Sequence, residues 1–222
     1  MKKTIILLLI LIMPIGSCES VWALKKNEIM QKDILQLVQQ NDISGVSKAL
    51  ENGANVNAVD NNKRSLLLIA TMGKQIEMAK ILVKYKADVN QQAENRDSPF
   101  LYAGASGQTE LVRLFLNNGA RFDIFNRYNG SALIPACERG HVETVRLLAN
   151  TKNFPIDHVN RLGWTALMEA IVLGDGSLKY QQIVQILKDA GSRMDIPDHD
   201  GITPLQHAQA KGFKEIVVII KS

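Results

Sequence analysis

Asp198-His199-Asp200-Gly201-Ile202-Thr203-Pro204-Leu205-Gln206-His207-Ala208 is a tight turn running into the start of a helix, and it recurs. Weaker copies begin at Ser65-Leu66-Leu67-Leu68-Ile69-Ala70, Ser98-Pro99-Phe100-Leu101-Tyr102-Ala103, Ser131-Ala132-Leu133-Ile134-Pro135-Ala136 and Thr165-Ala166-Leu167-Met168-Glu169-Ala170. The offsets between successive copies are 33, 33, 34 and 38 residues. Residues 98 to 123 show what one copy encodes. Ser98 can accept a bond from a free backbone N–H at a helix start, and Pro99 fits the first helical position, where its missing N–H costs nothing. Gly107 breaks that helix. Glu110 to Leu116 then carries apolar residues at helical spacing, and Gly119 can take the left-handed conformation that ends it.

The same grammar returns in Gly140 to Leu148 and in Gln182 to Gly191. Near the N-terminus, 33–40 and 44–50, followed by Asn52-Gly53-Ala54, form a more polar first unit that would serve as a cap. Six units result, at about 28–59, 60–92, 93–125, 126–159, 160–197 and 198–222.

The period and the T-P-L-H-x-A-like core resemble the ankyrin repeat, and the resemblance covers nearly all of residues 24–222. It implies an all-α solenoid of helix–turn–helix units joined by β-hairpin-like loops. No unit buries its apolar face alone, so neighbours supply one another's core. It also implies a module that binds another protein through its hairpin tips and the concave face of its first helices. At Lys63, Arg96 and Asn129 the sequence departs from the glycine expected two places before the capping residue. Lys and Arg resist a left-handed backbone, which predicts a different turn at those tips. Thr151 to Pro155 disturbs the end of the fourth unit. The fifth carries about four extra residues around Gly174 to Tyr180, expected to loop out between its helices. The last unit reaches Ser222 within or just after its second helix, so Ile219 and Ile220 are expected to be less covered than their counterparts.

The first 23 residues carry a different signal. Met1-Lys2-Lys3 is a short basic region, followed by an apolar run from Thr4 to Ile15 that Pro14 and Gly16 break. At about a dozen residues it is too short for a membrane span, which needs ~20. It reads as a secretory signal peptide of bacterial style. Cleavage after Val21-Trp22-Ala23 would leave a periplasmic chain beginning at Leu24. The alternative, Ile15-Gly16-Ser17-Cys18, resembles a lipoprotein box and would anchor the chain to a membrane through a lipidated Cys18. Either outcome leaves Cys137 without a disulfide partner. Its place inside a helix makes it a buried, inert thiol.

Composition excludes more than it proposes. The formal charge is +4 and is spread evenly, which argues against a nucleic-acid partner. His141 follows the glycine of a helix–helix turn, His158 and His199 fall in loops, and His207 lies in a first helix. None stands at zinc spacing from another ligand, so no metal is expected. Aligning Gly201 with the glycine of a calcium loop puts His207 where a bidentate Glu is required. No phosphate loop, nucleophile elbow or acid–base pair is present, so neither a cofactor nor an enzyme class is implied.

Positions that the resemblance assigns to binding change character along the array. Repeats four and five combine Arg, Tyr and Trp with several apolar residues, and Trp, Tyr and Arg are the types that dominate interface hot spots. Arg127, Tyr128, Arg139, Arg161 and Trp164 are the candidate protein-binding residues, with the inserted segment near Tyr180 at their border. Trp164 could equally brace the neighbouring repeat. The sequence therefore points to a monomeric, non-enzymatic binder of another envelope protein, as adaptor, inhibitor or immunity protein. A secreted, host-directed ankyrin effector is the alternative, and an enzyme of unknown class is a third reading with no positive support.

Overall fold

The computed structural model describes residue 30 and residues 33–222. The segment read as a signal peptide, the two candidate processing sites and Cys18 lie outside the described residues. Among the described residues twelve helices follow in six successive pairs: α1 (33–39) with α2 (Ile43–Glu51), α3 (Leu66–Met72) with α4 (Ile76–Lys84), α5 (Pro99–Ala105) with α6 (Thr109–Leu116), α7 (Leu133–Glu138) with α8 (Val142–Ala149), α9 (Ala166–Val172) with α10 (Leu178–Asp189), and α11 (Pro204–Ala210) with α12 (Lys214–Lys221). From α3 onward each first helix packs on the first helix of the next pair, and from α2 each second helix on the next second helix. Among the described residues the β-structure is a single antiparallel bridge, Val59 to Ser65. The molecule is an all-α solenoid.

The capping residues explain where the first helices start. Ser65, Ser98, Thr165 and Thr203 each accept a bond from the backbone N–H three residues on, satisfying a donor the helix leaves open. Gln206 completes a capping box with Thr203. Ser131 is the exception: its hydroxyl is buried without a partner, and α7 begins at Leu133 with no side-chain cap.

Burial then repeats with the sequence. Leu67, Phe100, Leu133 and Leu167 are buried on the first helices, and Leu82, Phe115, Leu148 and Leu187 on the second. Each contributes roughly 1.5–3 kcal/mol by leaving water. Leu205 and Ile220, the corresponding residues of the last pair, are only half-buried, as is Ile219. The residues at the end of the fourth pair put Phe154 into the core, where its ring lies 5.0 Å from that of Phe122, itself 6.3 Å from Phe100.

Two expectations are corrected. Lys63, Arg96 and Asn129 do not change the turn: they adopt φ of 57°, 64° and 58°, the left-handed region occupied by Gly163 and Gly201 at the same place in later pairs. Hydrogen bonds around each tip hold the shape whatever residue fills it. The extra residues of the fifth pair do not all loop out either. Leu178 to Tyr180 add a first turn to α10, which runs for 12 residues where α8 has 8. The reason is Tyr180, which is buried and donates its hydroxyl to the carbonyl of Glu138 at 2.8 Å.

Candidate protein-binding site

Four of the five tips are each built around one side chain, the exception being the tip before α5, where Ala93 takes that place. Asp60, Asn126, Asn160 and Asp198 accept, through Oδ1, the backbone N–H groups two and four residues ahead, at 2.9 to 3.1 Å. The same four residues donate their own N–H to the carbonyl four residues on. This closed ring is why a short polar loop presents its second and third residues at a fixed angle. In the fourth and fifth pairs those residues are Arg127-Tyr128 and Arg161-Leu162. The two tips are joined by a bond from the Arg161 N–H to the Tyr128 carbonyl at 2.9 Å.

Between these tips and the first helices lies a cleft of about 450 Å³. Tyr128, Leu162 and Leu173 edge it and are each about half exposed, at 53%, 51% and 50%. Arg127 places its guanidinium 4.9 Å from the Tyr128 ring centre, and Arg139 donates Nη1 to the Ala105 carbonyl at 2.6 Å. Tyr102, Asp97, Glu138 and Glu169 also line the cleft. Thus Arg127, Tyr128 and Arg139 come together at one site. Arg161 and Trp164 do not line it: Arg161 is exposed on the tip, and Trp164 is half-buried where the fifth loop closes, its N–H bonded to Asn160.

Glu169 is the residue that sequence reasoning passed over. It is only 5% exposed, and Oε1 accepts a bond from Asn160 Nδ2 at 2.8 Å. Burial pushes its carboxyl up to about 7, the charge of Glu138 adds to the rise, and the Asn160 bond opposes it. The signal was present in the repeat. Glu169 occupies the position of His207, on a row otherwise filled by Ile69, Tyr102 and Pro135. In the last pair His207 Nε2 lies 2.7 Å from Asp198 Oδ2, a contact between the same two positions with the carboxylate on the loop instead of the helix.

The other singled-out groups are structural. His158 stacks on Phe125 and bonds the Asn129 carbonyl. His141 covers Gly107, where a Cβ would come within 2.5 Å of its ring and where φ is +70°. Cys137 is buried, and desolvation with the nearby Glu169 charge pushes its thiol up. Among the described residues no group of His, Cys, Asp and Glu could hold a metal ion, and no helix is long and apolar enough to cross a membrane.

Repeated helix pairs, side-chain-locked tips and a cleft between tips and first helices define a repeat scaffold for protein recognition, and this chain belongs to the ankyrin repeat family. The family model for ankyrin repeats (three copies) matches residues 34–126 and 100–198. Over 189 residues the chain is 35% identical to the ankyrin repeat protein YahD of Escherichia coli (strain K12), covering 85% of this chain and 94% of that one. An ankyrin repeat domain from Acinetobacter baumannii AYE superposes with a TM-score of 0.82 at 44% identity, covering 85% and 95% of the two chains. The human ASB11 ankyrin repeat domain gives 0.68 at 27% identity over 85% and 81%. Ankyrin repeats are general protein–protein interaction modules.

Proposed function

We propose that this protein is a non-enzymatic, monomeric binder exported to a bacterial envelope, where it acts on one partner protein as adaptor, inhibitor or immunity factor. The cleft of the third to fifth pairs carries this reading. It gathers a half-exposed tyrosine and two arginines, the types that supply most of the energy of an interface, with two half-exposed leucines that add apolar area beside them. Export rests on the basic and apolar pattern of residues 1–23, with release after Ala23 or attachment through Cys18 as its two forms. The bond from the Arg161 N–H to the Tyr128 carbonyl supports counting Arg161 with the outer part of the same surface, while the half-buried Trp164 suits the bracing role as well as a binding one.

Affinity capture from periplasmic extract tests the proposal, with the unmodified protein and a Tyr128→Ala/Leu173→Ala variant as baits. Both residues are half exposed, so the variant keeps its fold, and circular dichroism checks this. The expected result is one envelope protein retained by the first bait and lost from the second. Equal retention by both baits moves the interface away from the cleft. Retention by neither, across growth conditions, removes the envelope partner.

A further inference from the structure

Asp97, Glu138, Glu169, Arg127 and Arg139 face one cleft, yet among the described residues none of them forms an ion pair within 4.0 Å. The two arginines are already engaged, one over the Tyr128 ring and one on the Ala105 carbonyl. Glu169 therefore lacks a counter-charge at 5% exposure. Its Oε1 is held by Asn160, and its second oxygen has no hydrogen-bond partner among the described residues although the residue lines the cleft. A carboxylate in that setting is costly, and the cost is relieved either by taking up a proton or, above about pH 7, by a cation that completes it.

The last helix pair supplies an internal comparison. There the same two positions hold Asp198 and His207, and acid meets base at 2.7 Å. In the fifth pair the positions hold Asn160 and Glu169. An amide fixes the carboxyl's orientation and supplies no counter-charge. Tyr102 and Tyr128 add aromatic rings to the walls, and a guanidinium stacks on such faces and sheds water more readily than an ammonium. The volume, about 450 Å³, lies in the range of sites that enclose a small ligand or an inserted side chain.

We infer that the cleft receives an arginine side chain of the partner protein, its guanidinium paired with the outward oxygen of Glu169 and flanked by Glu138. This rests on the proposal that the cleft is the protein-binding surface, and it specifies the chemistry that surface selects. The helices packed on α9 carry as titratable groups Cys137 and Glu138 on α7, Lys179, Tyr180, Lys188 and Asp189 on α10, and His207 on α11.

The test compares two blocked tripeptides, glycyl-arginyl-glycine and its neutral citrulline analogue, by amide shifts of Glu169 and Leu173 in NMR titrations. The arginine peptide is expected to bind at least tenfold more tightly at pH 8. In Glu169→Gln, which keeps an acceptor for Asn160, that preference is expected to vanish. Equal binding of the two peptides, no binding of either, or a preference that survives in Glu169→Gln overturns the inference. The unmodified protein alone decides the first two outcomes, so a poorly folded variant leaves the test intact. Partner capture without peptide discrimination would sink the arginine and keep the protein-binding reading; peptide discrimination without capture would keep the arginine site and sink only the envelope partner.

Discussion

Glu169 titrates between an ordinary value of 4.5 and about 7 in the folded chain, so the folded state holds its proton more tightly than the unfolded one. Stability from this group is greatest below about pH 4.5 and falls as pH rises to about 7. Glu169→Gln has no such titration. Its melting temperature relative to the parent is expected to rise from pH 5 to pH 8, measured by thermal denaturation at several pH values; a constant difference contradicts the burial argument. Arg96 makes the second residue-scale case. Its φ of 64° costs roughly 1–2 kcal/mol for a side chain with a Cβ. Glycine would remove that strain but add roughly 0.4–1 kcal/mol of unfolded-state freedom. Arg96→Gly is thus expected to gain about 0.5 kcal/mol, seen as a higher urea midpoint at unchanged slope. Sequence reading failed at both residues for one reason. A single residue's preference says nothing of the Asn160 amide nine positions away, or of the bonded loop that overrides the preference of Lys63 and Arg96.

At the scale of elements the sequence was far more legible. Capping residues, the glycines between helices and the apolar rows placed the helix pairs, because each signal acts within one turn of chain. The fifth pair shows the limit. Gly174-Asp175-Gly176 does open a loop, but whether Leu178 to Tyr180 continue it or start a helix depends on Glu138, 42 residues from Tyr180. That long-range bond has a measurable weight. Tyr180→Phe leaves the Glu138 carbonyl without its donor and is expected to cost about 1 kcal/mol of stability. The same variant loosens the end of α7, so the Arg139 resonances should shift in NMR spectra while those of α4 stay fixed.

Over the whole molecule, stability is set by how many neighbours each pair has. The inner pairs are covered on two sides, whereas α12 buries fully only Ile216 and leaves Val218 66% exposed. Hydrogen exchange is therefore expected to be slowest in α7 to α9 and fastest in α12, with a graded fall between them. A uniform rate along the chain would contradict a linear array. The cleft was only partly legible at this scale. Arg127, Tyr128 and Arg139 could be placed on it from their repeat positions, but its acidic floor emerges only when three adjacent pairs are stacked.

The side-chain hydrogen bonds that tie one pair to the next, such as Asn90 to Gly119 or Tyr180 to Glu138, join residues only 29 to 42 positions apart. Under tension such a chain has no distant clasp to share the load. Pulled from its two termini, it would peel from an end in steps of about one repeat, each releasing a similar length. A protein seated in the cleft, as proposed, would act as a splint across three consecutive pairs, turning the middle of the array into the last part to give way.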